Sequence, residues 1–221
     1  MIGKMKILVA CEESQVVTIE LRKLGHLAYS CDILPCSGGH PEWHIQGDVI
    51  PLLKQKWDMI IAFPPCTYLS RAGSTLLYPT PGNLNKERFA KGMSAREFFM
   101  AIWRADCPRI AIENPTPNKV YNLPPPSQVI QPWHHGDPNT KRTLLWLKGL
   151  PPLFATDLVI PKFSCNKHNP DWVKGGKDRA RRRSKTFSGI ARAMATQWAQ
   201  PTPSCETAKH DPGNTFALVV A

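Results

Sequence analysis

No apolar run in this 221-residue chain reaches the roughly 18 residues that a membrane-spanning helix needs. The first residues, Met1 to Lys6, lack the charged and apolar blocks of a secretory signal and lead straight into a strand pattern. The cysteines are seven and scattered, at 11, 31, 36, 66, 107, 165 and 205. An odd, unspaced set argues against a disulfide framework and for reduced thiols in the cytoplasm. There is no internal repeat. Acidic residues are scarce, 17 against 28 Lys and Arg, so the formal net charge is +11 and the pI about 9.5. Such a balance suits a polyanionic partner, most simply nucleic acid. With 42% hydrophobic and 20% charged residues, the chain has enough apolar surface for one globular domain.

The apolar segments alternate with helical ones. Lys6–Ala10, His26–Cys31, Trp57–Phe63 and Arg109–Ile112 read as strands, and Lys141–Leu147 as a later, antiparallel one. Gln15–Leu24 reads as a helix capped by Ser14 and stopped by Gly25. Ser94 to Glu97 forms a capping box that opens a helix towards Ala105, after a polar loop from 67 to 93. Gly189–Trp198 is a last helix. The pattern predicts an α/β fold with a doubly wound, mostly parallel sheet over residues 1–200. It also predicts a small basic recognition segment at 151–182 and a loosely held tail at 201–221.

One junction stands out. Met59 to Phe63 is an apolar run that ends in Pro64-Pro65 and delivers Cys66 at once. Ligands of open α/β sheets sit beyond the carboxyl ends of the strands, where Cys66 is expected. The thiol reads equally as a nucleophile or as a small apolar residue in a tight turn. Acidic residues follow other strands: Glu12 and Glu13, Asp32, Asp48 and Glu113. The first βα turn, Cys11-Glu12-Glu13-Ser14, contains no glycine. Two glutamates there disfavour a phosphate, so a cationic, phosphate-free adenosine ligand suits the turn better. A thiolate beside a carboxylic acid can add to an electron-poor ring while the acid protonates a ring nitrogen.

Together, Phe63-Pro64-Pro65-Cys66 and Glu113-Asn114-Pro115 resemble the Pro-Cys and Glu-Asn-Val motifs of DNA cytosine-5 methyltransferases, most closely the short phage-type members. The resemblance extends over about residues 6–198. It implies the Rossmann-like fold of enzymes that use S-adenosylmethionine. Cys66 and Glu113 would be catalytic, with Arg142, in the degenerate Asn139-Thr140-Lys141-Arg142 motif, holding the pyrimidine or a phosphate. Cofactor contacts would come from Cys11, Glu12, Ser14, Asp32 (ribose), Ile33, Asp48 (adenine amino group), Val49, Phe63, Pro65, Lys185 and Thr186. DNA contacts would come from Ser70 and Arg71 and from the basic run Lys174, Lys177, Arg179, Arg181, Arg182 and Arg183.

Several features depart from the family's pattern. The usual glycine-containing first turn is missing, one arginine remains where the family has two, and the recognition region is short. Lys185 stands near the family's asparagine beside the donor. A lysine there would suit carboxy-S-adenosylmethionine and a carboxymethyl product; it would equally suit a DNA phosphate. A basic DNA-binding protein that keeps the fold without catalysis is the rival reading. No metal is expected: Cys165 with His168 lacks two further ligands, and Cys31, Cys36, His40 and His44 read first as ordinary loop residues.

Overall fold

A computed structural model describes residues 3–164 and 184–199. Seven strands form the main sheet: β1 Lys6–Ala10, β2 Leu27–Asp32, β3 His44–Gln46, β4 Met59–Ala62, β5 Ile110–Asn114, β6 Gln128–Ile130 and β8 Thr143–Lys148. Two-residue β7, Asn139–Thr140, and β9, Phe163–Ser164, pair separately. The helices are α1 Val16–Lys23, the single turn α2 Ser74–Leu77, α3 Lys86–Trp103 and α4 Ser188–Trp198. The sheet order is β3-β2-β1-β4-β5-β8-β6. The first five are parallel; β8 runs antiparallel to both of its neighbours. The expected α/β class and mostly parallel sheet are therefore present.

Alternation along the strands divides the core in two. Leu8, Ala10, Ile60, Ala62, Ile110, Ile112 and Trp146 face one side, where Phe99 and Ile102 of α3 pack. Ile7, Val9, Met59, Ile61, Ala111 and Leu145 face the other, against Val17 and Leu21 of α1 and Ile190, Met194 and Trp198 of α4. Covering both faces explains why the central strands read as unbroken apolar runs. The chain leaves β1 towards β2 and β3 on one side and returns to β4 and β5 on the other. The switch point, where such sheets open a crevice, thus lies at the carboxyl ends of β1 and β4.

Three local expectations are corrected. Ser14 does not cap α1. Gln15 occupies that position with φ 58° and makes no side-chain cap. The helix amides are met instead by Glu12, whose Oε1 accepts from Val17 N–H at 2.7 Å and Oε2 from Thr18 N–H at 3.2 Å. Nor does Ser94 open a helix. It lies inside α3, its hydroxyl donating to the Ala90 carbonyl at 3.2 Å. The cap is Asn85, whose Oδ1 accepts from Arg88 N–H at 3.0 Å. The supposed loop from 67 to 93 therefore gives way to helix at Lys86. The short strands β3 and β6 were not foreseen. Gly25, at φ 86°, does end α1 as expected.

Gly189, in the first turn of α4, packs against the loop after β6. A Cβ at this position would lie 1.7 Å from the His135 carbonyl oxygen. Gly189→Ala is expected to lower unfolding free energy by about 1–3 kcal/mol through overpacking against rigid backbone. Urea unfolding of the variant checks this; a change below about 0.5 kcal/mol contradicts the packing. Among the described residues, no helix is long and apolar enough to cross a membrane.

Candidate active site

Register brings the two motif strands side by side. β4 pairs in parallel with β5 through Ala62↔Ile112, so Phe63-Pro64-Pro65-Cys66 leaves one strand beside Glu113-Asn114 on the next. The buried Asn114 ties them together: its Nδ2 donates to the Pro64 carbonyl at 2.9 Å. Cys66 itself is half-buried and begins a tight turn, its carbonyl accepting from Leu69 N–H at 3.2 Å and Ser70 N–H at 2.9 Å. That turn is fastened to the segment after β5. Arg71 N–H donates to the Thr116 carbonyl at 2.9 Å, and Asn118 N–H to the Leu69 carbonyl at 2.7 Å. The thiol therefore stands on a framework fixed from both strands, as a nucleophile requires.

Glu113 is partly buried, and loss of solvation raises its carboxyl above the ordinary carboxylate range. The charge of Lys141 pulls in the opposite direction. Burial is the larger of the two influences, which favours the protonated form of Glu113 relative to an exposed glutamate. Lys141 is the site residue that sequence reasoning passed over. Arg142, chosen instead, is exposed. Lys141 also lies 5.6 Å from the Phe187 ring, which links the segment before α4 to Glu113.

At the switch point, Asp32 and Asp48 come close enough to Cys11 that both carboxylates help to hold its thiol protonated, although burial is the larger cause. The same causes push the Cys31 thiol up to about 11. Asp32 ends β2 with Oδ1 accepting from Leu34 N–H at 2.9 Å; Asp48 is exposed and accepts from Ile50 N–H at 3.0 Å. Ile33 is 74% exposed beside Asp32, an apolar surface open to a ligand. Val49 is buried and Pro65 exposed. Phe63, partly buried, packs into the same cluster as Phe187. Thr186 is partly buried and Lys185 exposed.

Glu12 and Ser14 do not join these residues as ligand contacts. Both are buried, and both Glu12 oxygens serve the start of α1, with Thr18 Oγ1 donating to Oε2 at 2.7 Å. Glu13 is also turned inward, towards the Ser37 hydroxyl. The notable consequence is electrostatic. In nucleotide-binding α/β proteins a phosphate occupies the amides of the first helix. Here the protein's own carboxylate occupies them, so a pyrophosphate has no place. The donor set that remains, carboxylates with an apolar surface and no phosphate cradle, fits a cationic nucleoside.

Burial raises the Glu12 carboxyl from 4.5 to about 7. A raised acid stabilises the fold fully below the unfolded value, and that contribution disappears as pH climbs through the folded one. The span amounts to about 3 kcal/mol. Glu12→Gln keeps an acceptor for Val17 N–H but no charge. Its stability relative to the parent is expected to improve by about that amount between pH 5 and 8. A pH-independent difference in unfolding midpoints contradicts the assignment.

Among the DNA-contact candidates, Ser70 accepts from Ala72 N–H at 3.2 Å and Arg71 is exposed on the turn after Cys66. Lys174, Lys177, Arg179, Arg181, Arg182 and Arg183 lie outside the described residues, as do Cys165, His168 and the 201–221 segment. No group of three metal-ligating side chains occurs among the described residues. No family model matches the chain, and no curated protein matches it significantly.

Proposed function

We propose that the protein is a DNA cytosine-C5 alkyltransferase on a Rossmann-like methyltransferase fold. The observation that carries the reading is the pairing of β4 with β5, which sets the Cys66 turn beside Glu113, with Asn114 bonded to Pro64 at 2.9 Å. A target cytosine must leave the base stack to reach such a site. The Cys66 thiolate forms a bond to C6 of the ring. Glu113 gives its proton to N3 and accepts from the 4-amino group, so that negative charge does not build on the ring and electron density moves to C5. S-adenosylmethionine, when bound, would supply the electrophilic carbon that C5 takes up, its sulfonium S–C bond breaking to leave a neutral thioether. Loss of the C5 proton to a base then expels the Cys66 sulfur from C6 as thiolate, the N3 proton returns to Glu113, and the aromatic ring is restored. Lys141, close to Glu113, offsets charge during these proton movements.

The cofactor reading rests on Asp32 and Asp48 around Cys11, on exposed Ile33, and on the Glu12 carboxylate at the start of α1. Asp32 would hold the ribose and Asp48 the adenine amino group. The alternative donor, carboxy-S-adenosylmethionine, draws on exposed Lys185, two residues before Phe187 in the cluster that holds Phe63. Mass analysis of nucleosides from the DNA of cells expressing the protein tests both donors. 5-Methylcytosine is the expected product, and 5-carboxymethylcytosine would assign the other donor. Unmodified cytosine alone would favour a DNA-binding protein without catalysis.

A further inference from the structure

Beside the Cys66 turn lies a cleft whose lining residues are separate from those proposed to hold the cofactor and the reacting base. Its volume is about 240 Å³, and Tyr68, Leu76, Asn85, Glu87, Arg88 and Lys91 line it. That is smaller than the roughly 300 Å³ at which pockets for whole small molecules begin. It suits one flat group with a charge attached. Leu76 is 59% exposed and offers an apolar surface. Two cations approach the Tyr68 ring: the Arg88 guanidinium at 5.1 Å and the Lys91 ammonium at 5.9 Å from its centroid. Arg88 is also bonded to the reacting loop, its Nη2 donating to the Thr67 carbonyl at 2.9 Å. The cleft is thus anchored to the residue next to Cys66.

We infer that this cleft is the subsite for the nucleotide flanking the modified cytosine. The phosphate would lie against Arg88 and Lys91, and the base against Tyr68 and Leu76. The inference rests on the reading of Cys66 as the nucleophile for DNA. Chemistry favours nucleic acid as the occupant. The cleft joins cations to an aromatic ring, as strand-binding grooves do, and the chain carries a net +11. Glu87 is the opposing charge in the cleft, but it pairs with Lys91 at 2.6 Å on the surface. Exposed pairs of this kind are weak and open readily for a phosphate, and Arg88 adds a second cation.

The probe is a duplex library of randomised sequence, with 5-fluorocytosine in place of cytosine. Affinity is measured over a range of salt, and covalent adduct by intact mass. Tyr68→Ala is expected to weaken binding about tenfold at every salt concentration, with Tyr68→Phe close to the parent, because the ring face is kept. Lys91→Gln is expected to lower the slope of log affinity against log salt by about 1. Thermal melting confirms that the variants fold. Affinity and slope unchanged in Tyr68→Ala and Lys91→Gln would overturn the subsite, even if the parent forms its adduct. Binding that depends on both residues, in a parent that forms no adduct, would support the cleft and instead refute the nucleophile.

Discussion

Replacing Cys66 with alanine is expected to abolish modification of cytosine while leaving DNA binding within a fewfold of the parent. Both halves follow from position. Cys66 follows two prolines at the end of β4, half-buried, in a turn held by main-chain bonds from Leu69 and Ser70. Those bonds use the Cys66 carbonyl, which alanine retains, so the turn survives the substitution. What is lost is the sulfur that activates C5 by adding to C6. Without that addition C5 has little nucleophilicity, and the two thiols at the neighbouring strand ends do not replace it. Cys11 and Cys31 are held protonated by burial and by the charges of Asp32 and Asp48. A thiol must ionise to attack, so these two are inert at neutral pH. Nucleoside mass analysis after incubation with DNA and S-adenosylmethionine reads the result; modification at parental levels contradicts the mechanism.

Glu113→Gln is expected to slow turnover by about 10²–10⁴-fold, the usual contribution of a positioned proton donor. The amide preserves shape and can still donate a hydrogen bond to N3. It cannot deliver a proton. Burial raises the Glu113 carboxyl, so the parent keeps a protonated population where an exposed glutamate would not. Activity that depends on this form falls as pH rises through the raised value. The variant should lose this dependence along with the rate. Lys141 opposes burial, so Lys141→Gln is expected to move the fall to higher pH. Steady-state rates across pH check both; a Glu113→Gln rate within threefold of the parent refutes the role.

Which features the sequence disclosed follows from physical causes. β1, β4 and β5 are buried on both faces, and their apolar runs are visible without any partner in view. β3 and β6 are three-residue strands at opposite edges of the sheet. Pairing with β2 and β8 defines them, not composition. The start of α3 was obscured because Ser94 with Glu97 matches a capping box inside the helix. Asn85 caps the helix instead, and Gly92 is tolerated within it because Tyr121 packs where its side chain would be. The cap of α1 could not be read by spacing. Cys11 and Gln15 both take positive φ, and the reversal carries Glu12 back over the helix start.

In the candidate site, Cys66, Glu113, Asp32 and Asp48 each lie at or just after the carboxyl end of a strand, and in a parallel sheet those ends share one edge, which the strand pattern alone discloses. Glu12 was misread because its burial depends on that local reversal. Lys141 was hidden because its place beside Glu113 is set by packing of a segment outside any strand, where no sequence period applies.

The most direct measurement of the central claim is intact mass of the protein after incubation with S-adenosylmethionine and a 5-fluorocytosine duplex. Fluorine at C5 cannot leave as a proton does, so the Cys66–C6 bond, once formed, persists. The predicted result is a covalent protein–DNA complex in the parent, mapped to Cys66 by peptide analysis and absent in Cys66→Ala. DNA binding without any such complex, at saturating DNA and cofactor, would contradict the account.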